Sequence, residues 1–172
     1  PEHPHGEATP VQVPLSGVLD VSVMGERTCA LHEPGVVSCW GQPAPNEQAF
    51  PFDAQTADVH VPVAVSPAGL PLGDLLAMDL YYACLRALDG TVWCWGANTH
   101  GESGVVTTGA DLPPSQILHE DGSPLSGVVD LCTSGPSVAR TCAVTDEGSA
   151  WCWGGNGGGL GSATFTDPSS HT

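Results

Sequence analysis

Seven cysteines are the residues best placed to do chemistry in this chain, and six of them recur in one pattern. Cys29 to Gly41 reads C-A-L-H-E-P-G-V-V-S-C-W-G, Cys84 to Gly96 reads C-L-R-A-L-D-G-T-V-W-C-W-G, and Cys142 to Gly154 reads C-A-V-T-D-E-G-S-A-W-C-W-G. Each copy is a cysteine, nine residues, then Cys-Trp-Gly. The chemistry this spacing offers is oxidation to a disulfide. It is poor spacing for zinc, and the absence of C-x-x-C and C-x-x-C-H excludes thioredoxin-like redox work and haem attachment. Other reactive constellations fall away too. Gly101-Glu102-Ser103-Gly104 is not a G-x-S-x-G nucleophile elbow, and the glycine run 154–161 fits neither G-x-G-x-x-G nor a P-loop. His3 and His5, one residue apart near the N-terminus, are weak candidates for Cu²⁺ or Ni²⁺. The remaining histidines have no ligand spacing, and no D-x-D-x-D-G calcium run occurs. No cofactor and no enzymatic activity are expected.

The elements that must position the cysteines are hairpins. Each pair flanks a turn, Glu33-Pro34-Gly35, Asp89-Gly90 or Asp146-Glu147-Gly148, in which glycine supplies the positive φ of a three-residue hairpin loop. Centring the loops there sets Cys29 opposite Cys39, Cys84 opposite Cys94 and Cys142 opposite Cys152. Opposed residues of an antiparallel pair have Cα atoms roughly 4.5 to 5.5 Å apart, within reach of a disulfide. Cys132 is left unpaired. It lies in a strand-like run between Leu131 and Thr133, aligned with Ser22, and a buried, unreactive position is expected, with a bond to a partner as the alternative.

The same register sets Trp40, Trp95 and Trp153 opposite the small residues Thr28, Ala83 and Thr141. Trp93 shares a face with Trp95, and Trp151 with Trp153, while the cysteines point the other way. All five tryptophans read as packing in the repeat core. Sheets apolar on both faces must lie between other sheets, so the expected fold is all-β: three repeats of a β-propeller-like array, an open arc of four-stranded blades. Cys29 and Cys84 are 55 residues apart, Cys84 and Cys142 58, a period long enough for four strands. The repeats are placed at about 11–60, 61–113 and 114–161, after an extended arm at 1–10 and before a tail or the start of a further repeat at 162–172. L-S-G-V-L-D-V (15–21) matches L-S-G-V-V-D-L (125–131), and the middle copy is looser, with V-P-V-A-V (61–65) and Gly73 to Met78 in the corresponding places.

Composition narrows function. The 172 residues hold 19 acidic residues against three arginines and no lysine, a formal net charge of −16. Such a chain cannot neutralise phosphates, so nucleic acid is excluded as a partner. Paired cysteines point to an oxidising compartment: secreted, periplasmic or at the cell surface. The longest apolar stretch, Leu75 to Leu88, is interrupted by Asp79 and Arg86, so no membrane span is expected. Phe50 and Phe52 sit in the long connector after the first repeat and form a candidate contact loop.

The order V-x-D-V, T-C-A-L, glycine turn, C-W-G-x-N and glycine-rich tail resembles the regulator of chromosome condensation repeat family between Val11 and Gly161. The resemblance extends to an extracellular bacterial branch, and implies that the cysteines tie the inner hairpin of each blade. Arg27, Tyr82 and Arg140 stand where the family carries histidine, so no role of that histidine transfers. The exchange-factor activity of nuclear members is not expected of an acidic chain of three repeats. What the resemblance implies is a protein-interaction platform, binding a protein partner or copies of itself. Three repeats do not close a propeller, so terminal blades completed by further sequence or neighbouring copies, giving an oligomer or filament, are expected. A carbohydrate-binding lectin, motivated by the indole rings, and a secreted enzyme inhibitor presenting loops are the alternatives.

Overall fold

The computed structural model describes residues 9–33, 35–42, 59–105, 112–135, 139–155 and 160. The candidates His3, His5, Phe50 and Phe52 and the segment 162–172 lie outside them. Eleven strands are present among the described residues: β1 (Val18–Met24), β2 (Arg27–His32), β3 (Val36–Gly41), β4 (Val59–Ala64), β5 (Gly73–Met78), β6 (Tyr82–Ala87), β7 (Val92–Gly96), β8 (Leu112–Gln116), β9 (Val128–Ser134), β10 (Arg140–Thr145) and β11 (Ala150–Gly154). They form three antiparallel sheets, β1-β2-β3-β4, β5-β6-β7-β8 and β9-β10-β11. The chain is all-β, a stack of propeller-like blades.

The central hairpins follow from their turns. Gly35, Gly90 and Gly148 take φ of 86°, 79° and 78°, a region that glycine enters without steric cost. The resulting register pairs Cys29 with Cys39, Cys84 with Cys94 and Cys142 with Cys152. All three are disulfides, with Cα–Cα separations of 4.0, 4.1 and 4.1 Å. The Trp-Gly step after each pair ends the strand where the next chain segment crosses closely. A Cβ on Gly41 (φ 92°) would collide with the Glu26 carbonyl, and one on Gly154 (φ 102°) would lie 2.7 Å from that of Ala139.

The sheets divide the chain elsewhere than at the expected repeat boundaries. Residues 61–65 do not open the second repeat: β4 pairs with β3, Val63 opposite Cys39, and closes the first blade. The boundaries at 60/61 and 113/114 therefore fall inside β4 and β8. The two fourth strands carry prolines (V-H-V-P-V-A and L-P-P-S-Q), which hid their strand character. Pro62, Pro113 and Pro114 are tolerated because they lie on edge strands where the ladder is irregular, between Cys39/Gly41 and Cys94/Gly96.

Blades stack by opposite faces. The cysteine face of the first blade (Cys29, Leu31, Val37, Cys39) packs on the tryptophan face of the second (Leu76, Met78, Ala83, Leu85, Trp95). The cysteine face of the second (Tyr82, Cys84, Val92, Cys94) packs on Val128, Leu131, Ala143 and Trp153 of the third. Among the described residues, only the middle blade is covered on both sides. Trp95 is 2% exposed, whereas Trp151, on the face turned to the middle blade but on a strand with no described neighbour along its outer edge, is 45% exposed and is not the core residue that its place in the repeat suggests.

Candidate functional site

Each junction between blades is tied by polar contacts that fix the geometry of the outer surfaces. Asp20 accepts a hydrogen bond from its own neighbour, Val21 N, at 2.8 Å, and its second carboxylate oxygen accepts from Leu76 N of the next blade at 2.7 Å. At the second junction Asp74 forms an ion pair with Arg86 (2.6 Å), whose Nη1 donates to the carbonyl of Val129 at 3.2 Å. Tyr82, fully buried at the start of β6, donates from Oη to the Arg140 carbonyl at 2.6 Å. Burial pushes its phenol up to about 12.

A loop beyond β7 supports the third blade from beneath. Glu102 is 1% exposed. One carboxylate oxygen accepts from Thr99 N (3.0 Å) and Thr99 Oγ1 (3.2 Å), the other from His100 N (2.6 Å). Asn98 accepts from Ser103 N at 2.8 Å, and Ser103 Oγ donates to the Ala97 carbonyl at 2.7 Å. Ser103 is thus a buried structural hydroxyl. The rigid loop presents the Glu102 carbonyl to Trp153 Nε1 at 3.0 Å, orienting that indole. The sequence held a signal for this: Asn98 and Glu102 bracket a short polar, glycine-containing turn.

Trp153 and Trp151 form one wall of a cleft of about 760 Å³, floored by Ile117 and Leu125 and rimmed by His119, Glu120 and Asp121. The rim is a tight turn, not part of a strand opening the third repeat. Gly122 N donates to the His119 carbonyl at 3.0 Å, and Asp121 accepts from Ser123 N (2.9 Å) and Ser123 Oγ (2.6 Å). Those Ser123 hydrogen bonds, hydroxyl then backbone, hold the Asp121 carboxyl below the usual carboxylate range. The His119 ring meets the Trp151 ring edge-on, with centroids 4.6 Å apart.

The outer face of the third blade carries Asp130, Cys132 and Val144, all exposed, with the Cys142–Cys152 bridge between them. Cys132 is therefore on a strand but not buried, because no fourth sheet covers that face among the described residues. It stands directly across from Cys142 in the ladder. The opposite end of the stack leaves Val21 and Val23 exposed at 51% and 69% on the first blade. Among the described residues no three metal-binding side chains converge, and no helix is long and apolar enough to cross a membrane.

No family model matches the chain. Over 139 residues, 80% of its length, it is 30% identical to the human E3 ubiquitin-protein ligase HERC2, and likewise to the mouse protein. It spans 3% of either relative. Among solved structures, human WBSCR16 superposes with a TM-score of 0.60 at 17% identity, covering 81% of this chain and 34% of that one. Prp20p of Saccharomyces cerevisiae gives 0.56 at 16% identity over 82% and 34% of the two chains. Yeast RCC1 (Prp20) bound to Kap60 gives 0.55 at 16% identity over 82% and 33%. The chain has an RCC1-like repeat fold. In this RCC1-like stack the chemistry that recurs in all three copies lies in the hairpins, and among the described residues the two terminal faces, the β11 edge and the cleft beside it are left uncovered.

Proposed function

We propose that the chain is a non-catalytic protein-interaction module of the RCC1-like repeat family, in its extracellular bacterial branch, secreted or held at the cell surface. The observation that carries this reading is the pair of bare terminal faces. Val21 and Val23 on one end, and Val144 beside Cys132 on the other, are exposed apolar positions of a sheet type that is buried wherever the chain stacks on itself. Three disulfides suit an oxidising compartment. Chemical cross-linking in a surface extract, followed by capture of the chain, tests it. A defined protein cross-linked through residues of these surfaces supports the reading. Cross-links to none, in an extract where the chain is native, overturn it.

A second reading, self-assembly, is favoured by the polarity of the stack, whose two ends expose different faces. The two bare faces are one tryptophan face and one cysteine face, the combination that packs at both internal junctions. Copies joined head to tail would again set a tryptophan face on a cysteine face. Light scattering after size exclusion decides it: concentration-dependent growth supports assembly, and a monomer up to millimolar concentration refutes it. A charge of −16 on each copy predicts that assembly strengthens with salt.

A further inference from the structure

The third blade differs from the other two at one ladder position. The strand before each hairpin sets Ser22 opposite Cys29 in the first blade and Ala77 opposite Cys84 in the second, but Cys132 opposite Cys142 in the third. Cys142 in turn stands opposite Cys152, to which it is bonded. Three cysteines thus form one row across β9, β10 and β11, and directly opposed residues project to the same face of a sheet. We propose that the third blade carries an exchangeable disulfide, in which Cys142 is the shared partner and the bond passes between Cys142–Cys152, its resting place, and Cys132–Cys142.

The step balances within the row. The Cys132 thiolate attacks Sγ of Cys142, the Cys142–Cys152 bond breaks as the Cys132–Cys142 bond forms, and Cys152 leaves as a thiolate that takes up the proton Cys132 gave up. One disulfide and one thiol exist before and after, so no oxidant or reductant is consumed. No side chain outside the blade takes part, so the exchange does not depend on what covers either face or edge of the sheet.

Chain length and ladder geometry carry the proposal. Cys142 is ten residues from each of its two partners, so loop-closure entropy favours neither bond. Geometry therefore decides between them. Thr145 N donates to the Ser149 carbonyl and Gly155 N to that of Ala139. By alternation along the ladder, Cys142 and Cys152 form a non-hydrogen-bonded pair, with Cα atoms 4.1 Å apart. The amide of Cys142 then faces β9, and Cys132–Cys142 is a hydrogen-bonded pair with Cα atoms roughly 5.5 Å apart. That lies inside the span of roughly 4.4 to 6.8 Å that a disulfide bridges, though it is the wider of the two pairs. The closer pair holds the bond at rest, and the wider pair can receive it. Cys132 and Cys152 are two strand spacings apart, roughly 9.5 Å, and cannot be bridged directly. Transfer of the bond frees β11 from its covalent tie to β10, leaving it held by the ladder and by the Trp153 Nε1 bond to the Glu102 carbonyl.

The experiment uses the whole chain, unaltered and as Cys152→Ser, Cys142→Ser and Cys132→Ser. Each is equilibrated under native conditions with reduced and oxidised glutathione, quenched in acid, alkylated and mapped without reduction. Cys152→Ser should form Cys132–Cys142, at a ratio of oxidised to reduced glutathione at least about tenfold lower than any Cys132–Cys152 bond in Cys142→Ser requires. In the unaltered chain without glutathione, slow labelling with iodoacetamide should mark Cys132 in most chains. A smaller fraction should be marked at Cys152 and carry Cys132–Cys142, and that fraction should vanish in Cys132→Ser. This arm needs no variant that loses a disulfide, so it decides the matter if Cys152→Ser or Cys142→Ser fails to fold. Label confined to Cys132 in the unaltered chain overturns the proposal. So does a folded Cys152→Ser whose two thiols stay free, take up glutathione or join two copies instead of bonding to each other. Equal pairing of Cys132 with Cys142 and with Cys152 overturns it as well, because the row would then not have Cys142 at its centre.

Discussion

Raising the pH should destabilise this protein through one residue. Tyr82 is fully buried, with its hydroxyl donating to the Arg140 carbonyl of the next blade, and burial pushes its phenol from 10.0 to about 12. The Thr141 hydroxyl 3.3 Å away acts in the opposite direction, and the Asp79 and Glu102 charges add to the rise. A phenol harder to ionise when folded keeps its proton in the native state after the unfolded chain has lost it. The stabilisation is fully present below pH 10 and is lost as pH climbs towards the folded value. A difference of about two units corresponds to about 2.7 kcal/mol, of which about 1.4 kcal/mol is gone at about pH 11. The chain suits the measurement, since it has no lysine and its other tyrosine is Tyr81 alone. Urea unfolding would be followed from about pH 9 to about pH 11 in a Cys132→Ser background, because an exposed thiolate across from Cys142 can attack that disulfide at alkaline pH. Tyr82→Phe should cost about 1 to 2 kcal/mol at neutral pH, having left the Arg140 carbonyl without its donor. It should also flatten the alkaline decline. If the decline is equally steep in Tyr82→Phe, or if tyrosinate absorbance of the folded protein rises in a single step near pH 10, the argument from burial fails.

Glu102→Ala should cost about 1 to 3 kcal/mol in urea unfolding, since it leaves the backbone N–H groups of Thr99 and His100 without their acceptor. Glu102→Gln should cost about 2 kcal/mol, because one oxygen facing an N–H becomes a donor. A change below about 0.5 kcal/mol in either would show that the loop does not depend on this carboxylate. Non-reduced peptide mapping should return Cys29–Cys39, Cys84–Cys94 and Cys142–Cys152. Cys132 should react with a maleimide in the native protein about as fast as it does in urea, and slow labelling there would mean its face is covered in solution. Burial raises the Asp79 carboxyl against the backbone N–H bonds of Leu80 and Tyr81. Its stabilising contribution is full below the ordinary aspartate value of about 3.9 and is lost as pH rises through the folded value. Asp79→Asn should therefore be more stable than the parent at pH 7 but not at pH 3, and equal stability at both would contradict a desolvated charge.

Most of the fold could be read from the repeat itself. Glycine turns set hairpin register, register set the cysteine pairs opposite one another, and alternation put tryptophans and cysteines on opposite faces. These are short-range consequences of strand geometry. What could not be read depended on neighbours that the motif does not encode. Cys132 sits in a strand-like run in sequence, but its exposure depends on whether another sheet lies across it. Trp151 has the same motif position as Trp93 and a different cover. The proline-bearing fourth strands show their strand pattern only in part, and nothing in the local pattern of β4 says whether it closes the first blade or opens the second; pairing with β3 decides it.

The looseness of the middle copy has a physical explanation in the junctions. Asp20 and Asp130 occupy the same ladder position, and each holds the N–H of its own following residue, at 2.8 and 2.9 Å. In the middle blade that position is Leu75, and the aspartate sits one residue earlier, at Asp74 in the bulge. The exchange has two effects. Leu76 N, free of an aspartate of its own, can receive the second oxygen of Asp20, and Asp74 can instead grip Arg86 and aim it at the bulge carbonyls of the third blade. Two blades that both carried aspartate at the ladder position could not make the first of these bonds, because the receiving N–H would already be held. Departure from the repeat in the middle blade thus allows the first to dock on it. Asp130 lies exposed on the outer face of the third blade in the pose Asp20 uses. A sheet that docks there through this carboxylate would need, as the middle blade does, a residue other than aspartate at that ladder position, and β1, with Asp20 there, lacks it. A head-to-tail contact between copies would then have to rest on apolar packing alone, and Asp130→Ala should leave any such assembly unchanged in size-exclusion light scattering, whereas loss of assembly would show that the carboxylate had found a donor by another route.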